Sequence, residues 1–167
     1  MNWSSQINFF EDLIKLSQYL VNTFVILRFK KLDWTANAYF KNILNKINNS
    51  ENITISSNYK ESFYSYKLCA HADLVIAKAT SIADECLSKK IPVLFHEYTH
   101  NMKKIVLDIP NYLPSELMCY NFEDLYQKSK SILFSSPSKL KEKIEKLNQK
   151  IYYVSEKQNI KKKYLKI

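Results

Sequence analysis

Apolar residues follow two different spacings along this chain. Short continuous apolar runs are typical of strands buried on both faces, and they predict five strands at 23–29, 52–56, 73–78, 91–95 and 118–120. Around them, apolar residues recur every three or four positions and predict helices over 5–20, 63–72, from residue 80 onward, and from 121 to about 132. A further helix, capped by Asp33 or Thr35, carries Phe40, Leu44 and Ile47 inward. Strands alternating with helices predict an α/β fold, a single Rossmann-like parallel sheet with helices on both faces.

A C-terminal amphipathic helix follows this alternation. Its apolar residues lie at alternating steps of four and three and form one stripe, made of Leu140, Ile144, Leu147, Ile151 and Val154. We therefore divide the chain into a Rossmann-like domain at 1–134 and a C-terminal helix with a basic tail at 135–167. The stripe fits two interpretations, packing on the chain's own body or docking on a partner domain, and both are favoured over membrane insertion.

The positive charge is concentrated at the C-terminal end. From Lys139 onward there are ten Lys and three Glu, a net charge of +7 out of +9 for the chain. The tail fits either an anionic partner such as a membrane surface or a solvated helix face with a frayed end. No motif of interleaved aromatic and basic residues is present, so no specific nucleic acid partner is expected.

Length and cysteine usage favour a cytoplasmic protein with one folded body. The 167 residues suffice for one domain, and the apolar runs fall short of the ~20 residues that span a membrane. The N-terminus lacks the pattern of a secretion signal. The chain has three widely spaced cysteines, Cys69, Cys86 and Cys119, which predict neither a disulfide framework nor a metal site. We expect a cytoplasmic chain, with peripheral contact at the inner membrane face as a further expectation from the basic tail.

The junction between the third strand and the following helix is the strongest sign of a ligand. Thr80 and Ser81 stand there, where free backbone N–H groups and the helix dipole favour an anion. The chain contains no glycine, which excludes a Walker loop and a GxGxxG fingerprint. A phosphate site must therefore use helix N-termini, hydroxyls and cations.

Residues 96–100, HEYTH, match the HExxH zinc-peptidase motif. That chemistry requires a helix, which puts both imidazoles on one face. Here the motif follows an IPVLF run that predicts a strand, in which His96 and His100 would lie ~13 Å apart. We therefore favour a polar loop and expect no metal, and a zinc peptidase is the less favoured alternative.

Several elements together resemble the C-terminal nucleotide-binding domain of GT-B glycosyltransferases. They are an ADLVI strand at 72–76, the Thr80–Ser81 turn, a helix carrying Glu85, and the IPVLF strand at 91–95. The likeness is to the surface-polysaccharide branch, which is also similar to glycerophosphotransferases and UDP-sugar 2-epimerases. The VILRFK run at 25–30 resembles the first strand of that domain.

The resemblance implies a role for each matching residue. Thr80 and Ser81 would hold the phosphates of a nucleotide-linked sugar or polyol, and Arg28 or Lys30 would neutralise their charge. Glu85 would accept hydrogen bonds from ribose hydroxyls. The remaining donor-binding positions would be His96, Tyr98, Thr99 and His100. For single residues plainer structural roles stay open, such as a helix cap for Thr80.

The resemblance also implies an incomplete enzyme. GT-B enzymes have two Rossmann-like domains, and the first supplies the acceptor site and usually the catalytic base, whereas this chain holds one. We expect the donor-binding half of a glycosyltransferase-like enzyme of cell-surface polysaccharide biosynthesis, with an N-terminal partner domain or chain and no cofactor. The alternative is a non-catalytic nucleotide-binding remnant of the same fold.

Overall fold

A computed structural model describes residues 3–29, 32–56, 61, 63–78, 80–97 and 115–151. Within these ranges helices and strands alternate as the apolar pattern predicts. The helices are α1 (Trp3–Tyr19), α2 (Lys41–Asn48), α3 (Tyr64–Ala70), α4 (Ser81–Ser88), α5 (Phe122–Leu133) and α6 (Pro137–Ile151). The strands are β1 (Val25–Leu27), β2 (Ile53–Ile55), β3 (Val75–Ala77), β4 (Val93–His96) and β5 (Met118–Cys119). The expected mixed α/β chain is confirmed.

The strands form two parallel sheets, so the expectation of a single sheet is wrong. β1 pairs with β2, and β4 lies between β3 and β5. Among the described residues no backbone ladder joins the two sheets. Side chains join them instead, because Leu27 and Ile53 of the first sheet share a buried cluster with Leu94 and Cys119 of the second. Apolar runs predict that strands are buried but not which neighbours they bond.

Strand β4 is covered on both faces. Its successive side chains point to opposite faces, and they pack into different clusters. Leu94 lies in the first cluster with residues of α1, α2 and α5, whereas Val93 and Phe95 lie in a second with residues of α4 and α6. The expectation of helices on both faces therefore holds for this sheet.

The start of α2 differs from the prediction. Two short 3₁₀ turns precede it, at Asp33–Ala36 and Ala38–Phe40. Neither Asp33 nor Thr35 caps α2. The Thr35 hydroxyl donates to the Leu32 carbonyl at 2.7 Å, and the Asn37 side chain accepts from the Tyr39 N–H at 2.9 Å. Short polar side chains satisfy nearby backbone groups in turns, so the polar residues here build a turn before the helix begins.

A left-handed residue ends α4. The Lys90 N–H donates to the Leu87 carbonyl and the Ile91 N–H to the Cys86 carbonyl, both at 2.9 Å. These are the two bonds of a Schellman motif, with Lys90 at φ 62° where glycine is usual. The turn brings the chain directly from α4 into β4.

The stripe of the last helix packs on the chain itself. Leu147 is buried in the second cluster, Ile151 packs against that cluster, and Leu140 packs against the first. Of the two interpretations of the stripe, its described part therefore fits packing on the chain's own body, and Val154 lies outside the described residues. No helix in the described ranges is long and apolar enough to cross a membrane.

Candidate functional site

Several of the polar residues that the sequence singles out lie at the carboxyl ends of strands. Arg28 follows β1, Thr80 and Ser81 follow β3, and His96 ends β4. In parallel α/β sheets, ligands bind in the crevice outside these ends. Lys30, Tyr98, Thr99 and His100 lie outside the described residues.

The N-terminus of α4 carries exposed hydroxyls. Thr80 occupies the N-cap position with extended backbone, φ −155° and ψ 136°, yet its side chain makes no capping hydrogen bond. Both Thr80 and Ser81 are exposed. The N–H groups of the first turn lack partners within a helix, and their dipole is positive toward solvent. One acidic side chain, Asp84, also lies in this first turn and partly offsets that potential.

Arg28 is held against α3 at the end of β1. Its Nε donates a hydrogen bond to the Ser65 hydroxyl at 3.0 Å, and its Nη1 donates one to the Phe29 carbonyl. The guanidinium carbon lies 5.8 Å from the centre of the Tyr64 ring. These contacts use part of the five N–H donors of an arginine and fix the direction of the side chain.

Glu85 joins α4 to the same helix. The Tyr66 hydroxyl donates to Glu85 Oε1 at 3.1 Å, and this hydrogen bond, with the carboxylate charge, raises the pKa of Tyr66. Since Ser65 and Tyr66 are adjacent in α3, the first turns of that helix contact both Arg28 and Glu85. The structure thus connects the end of β1 with α4 through α3.

His96 is buried inside the fold, whereas the resemblance implied that its side chain contacts the donor ligand. Its side chain is 2% exposed, and its Nε2 lies 2.9 Å from Oδ2 of Asp12, which is 9% exposed and comes from α1. The imidazole packs edge-on against Phe9 at a centroid distance of 5.0 Å. The arrangement joins α1 to the end of β4 by a buried polar pair.

Lys78 and Glu97 adjoin the buried pair of His96 and Asp12. Lys78 follows β3, and its Nζ lies 5.9 Å from the centre of the Phe9 ring. Burial lowers the pKa of Lys78, and the charge of Glu97 opposes that shift. Glu97 is itself buried at the end of β4, and its N–H donates to the Cys119 carbonyl at 2.8 Å.

The HExxH motif begins in a strand. β4 runs through His96, as the apolar run before the motif predicts, and so His96 is not on a helix. Within the described part of the chain no three His, Cys, Asp or Glu side chains form a group that could hold a metal ion. His100 lies outside that part.

Sequence reasoning missed the partners of these residues. Asp12 lies in a helix between Phe9 and Leu16, both of which are buried. A charged residue within an apolar stripe is unusual, and that was the available signal for a buried pair. Tyr66 offered no such signal, because an exposed tyrosine on a short helix is ordinary.

A surface cavity of about 450 Å³ lies at the opposite ends of the strands. Asp73, Lys90 and Pro92 line it together with the start of α6. We place the candidate site at the carboxyl ends instead, because the exposed hydroxyls, the anchored arginine and the N-terminus of α4 each lie at the carboxyl end of a strand. Comparisons with protein-family models, curated proteins and solved structures give no match to this chain.

Proposed function

We propose that this chain binds the phosphates of a nucleotide-linked sugar or polyol at the carboxyl ends of β1 and β3. The observation that carries the proposal is the exposed Thr80 hydroxyl, which occupies an N-cap position without capping the helix. A hydroxyl that is not used by the fold can donate to a phosphate oxygen beside the N–H groups of the first turn. Ser81 adds a second exposed hydroxyl at the same place.

Two further residues support the rest of the ligand. Arg28 supplies a cation whose side chain is already fixed by Ser65, so that less rotamer entropy is lost when a phosphate binds. Glu85 lies one turn into α4 with an exposed carboxylate. Its contact with the Tyr66 hydroxyl occupies one oxygen with one hydrogen bond, and a carboxylate accepts several, which suits a pair of ribose hydroxyls.

The proposed role is that of the donor-binding half of a glycosyltransferase-like enzyme of cell-surface polysaccharide biosynthesis. Its partner would be an N-terminal Rossmann-like domain or chain, which would bring the acceptor and a catalytic base to the donor. The buried state of His96 supports this division, because an imidazole paired with Asp12 inside the fold is not placed to take a proton from an acceptor. A nucleotide-binding remnant without catalysis would have the same donor site.

Binding and catalysis require separate experiments. Isothermal calorimetry with UDP-, CDP- and GDP-linked donors and with inorganic diphosphate tests the donor site. We expect at least one nucleotide-linked donor to bind more tightly than diphosphate, and failure of every donor to bind would refute the proposal. A transfer assay with and without an N-terminal half then separates the enzyme from the remnant, because the remnant stays inactive with the partner.

A further inference from the structure

One residue in the apolar stripe of α6 has no place in the core. Leu140 packs against the first cluster, and Leu147 is buried in the second. Ile144 lies between them on the stripe, yet it belongs to neither cluster of the described residues and is only half-buried. It lines the surface cavity of about 450 Å³ instead. Pockets that bind small molecules have volumes of about 300–1,000 Å³, so this cavity is large enough for a ligand.

The lining of the cavity is mainly apolar and comes from three separate parts of the chain. Ile132 and Leu133 lie at the end of α5, Pro92 precedes β4, and Leu140 and Ile144 belong to α6. Of these five residues Ile132 is buried, and the others are half-buried. Each half-buried side chain keeps apolar surface in contact with water, and a ligand with an apolar body would cover it.

The cation beside this apolar surface favours an anionic head group. Lys141 lines the cavity and lies three residues before Ile144, so the two side chains are neighbours on α6. In the part of the chain that the structure describes, Lys141 makes no hydrogen bond or ion pair. Lys90 also lines the cavity, but its Nζ lies 3.3 Å from Oε1 of Glu145. Asp73 is a further lining residue, and its charge opposes an anion.

We propose that this cavity binds a medium-chain aliphatic carboxylate. The aliphatic chain covers Ile144 and Ile132, and the carboxylate lies beside Lys141 at the exposed rim, where it keeps part of its hydration. Such a ligand connects α6 to the end of α5 and thereby fills the gap in the stripe. Because the cavity lies at the strand ends opposite Thr80 and Ser81, its ligand does not depend on the proposed nucleotide site.

Three probes with the same chain and different head groups test the proposal on the whole protein. They are octanoate, 1-octanol and octylammonium, each titrated by calorimetry at concentrations at which it is monomeric. We expect octanoate to bind more tightly than the alcohol or the amine. Butanoate should bind more weakly than octanoate, since each buried methylene contributes up to about 4-fold in Kd. The melting temperature should rise with octanoate, because the ligand binds the folded chain alone.

Methyl NMR locates the ligand. Octanoate should shift the methyl resonances of the apolar residues that line the cavity, Ile132, Leu133, Leu140 and Ile144. The methyl resonances of Ile43 should stay unchanged, because this residue is buried in the first cluster and does not line the cavity.

Two lysines on α6 form a matched pair of variants. Lys141→Gln should raise the Kd of octanoate by about 1.5- to 5-fold, as expected for an exposed ion pair, and leave the Kd of octanol unchanged. Lys139→Gln removes the same charge from the same helix at an exposed position outside the cavity, and it should leave both Kd values unchanged. Asp73→Asn should tighten octanoate, because it removes the opposing charge. Circular dichroism checks that each variant is folded.

Four results would overturn the proposal. The first is a chain that binds no octanoate, and the second is tighter binding of octylammonium or equal binding of octanol. The third is a set of methyl shifts that leaves the lining residues unchanged. The fourth is an equal effect of Lys141→Gln and Lys139→Gln on the Kd of octanoate, because the head group would then respond to overall charge alone.

Discussion

Replacing both hydroxyls at the start of α4 should separate ligand binding from folding. A residue that caps a helix with its side chain usually contributes about 1 kcal/mol to stability, so its loss destabilises the protein. Thr80 makes no such capping bond. The double variant Thr80→Ala, Ser81→Ala should therefore keep the free energy of unfolding within about 0.5 kcal/mol of wild type.

The same change should weaken binding of a nucleotide-linked donor. A hydrogen bond to a charged group contributes about 1.5–3 kcal/mol, and the helix N–H groups remain in the variant. We expect a net loss of about 1–3 kcal/mol, which is roughly a 5- to 150-fold rise in Kd. Calorimetric titration of the wild type and of the variant measures this directly.

A matched control lies at the other end of the helix. Ser88 is also exposed, and its hydroxyl donates to the Glu85 carbonyl at 2.7 Å. Ser88→Ala should leave the Kd unchanged, since this hydroxyl is far from the N-terminus of α4. Unchanged affinity in a folded Thr80→Ala, Ser81→Ala variant would refute the assignment. So would a drop in stability as large as that of a lost cap, because the hydroxyl would then serve the fold.

Four other predictions follow from individual side chains. Glu85→Gln should weaken the binding of nucleotides in calorimetry and leave the binding of inorganic diphosphate unchanged. Equal losses of affinity for both ligands would contradict a contact with ribose. Asp84→Asn should tighten the binding of both nucleotides and diphosphate, because it removes a negative charge from the first turn of α4. Weaker binding would contradict an anion site there. Asp12→Ala should lower the free energy of unfolding in urea by about 2–4 kcal/mol, since it removes the buried carboxylate that contacts Nε2 of His96; a loss below about 0.5 kcal/mol would show that the pair is unimportant. Burial lowers the pKa of Lys78 below its ordinary 10.5. At pH values between this lowered pKa and 10.5, the unfolded chain binds more protons than the folded chain, so the stability of the wild type should rise with pH. In Lys78→Met that rise should be smaller when urea midpoints are compared across this range, and equal slopes would contradict the shift.

Elements that depend on neighbouring residues could be predicted from the sequence. The apolar spacing predicted five strands and the helices around them. Asn121 caps α5, with its side chain accepting from the Asp124 N–H at 2.8 Å, and an asparagine three residues before an acidic residue is a pattern that can be read from the sequence. A cap is local, because donor and acceptor are three residues apart. For β1 with β2 and for β3 with β4, the parallel direction follows from the helix between the paired strands, α2 and α4 respectively, which leaves no room for a hairpin.

Contacts between distant residues could not be predicted in the same way. Asp12 and His96 are 84 positions apart, and nothing near either residue specifies the other. The split into two sheets has the same origin, since the pairing of strands depends on where the helices pack each strand against the core. The candidate site is predictable in part, because Thr80 and Ser81 lie where a strand meets a helix, whereas the anchoring of Arg28 by Ser65 depends on the fold.

The absence of glycine explains why a phosphate site of this kind suits the chain. Among the described residues, Asn22, Phe63 and Lys90 adopt left-handed backbone. This conformation costs Phe63 and Lys90 about 1–2 kcal/mol each, whereas asparagine tolerates it better and glycine would cost little. None of the three is at the start of α4. Thr80 has extended backbone that any residue adopts, so the first turn of α4 opens toward solvent without glycine. A site built from hydroxyls, a fixed arginine and helix N–H groups therefore carries no penalty from the composition, and a glycine-rich phosphate loop would carry one at each left-handed position.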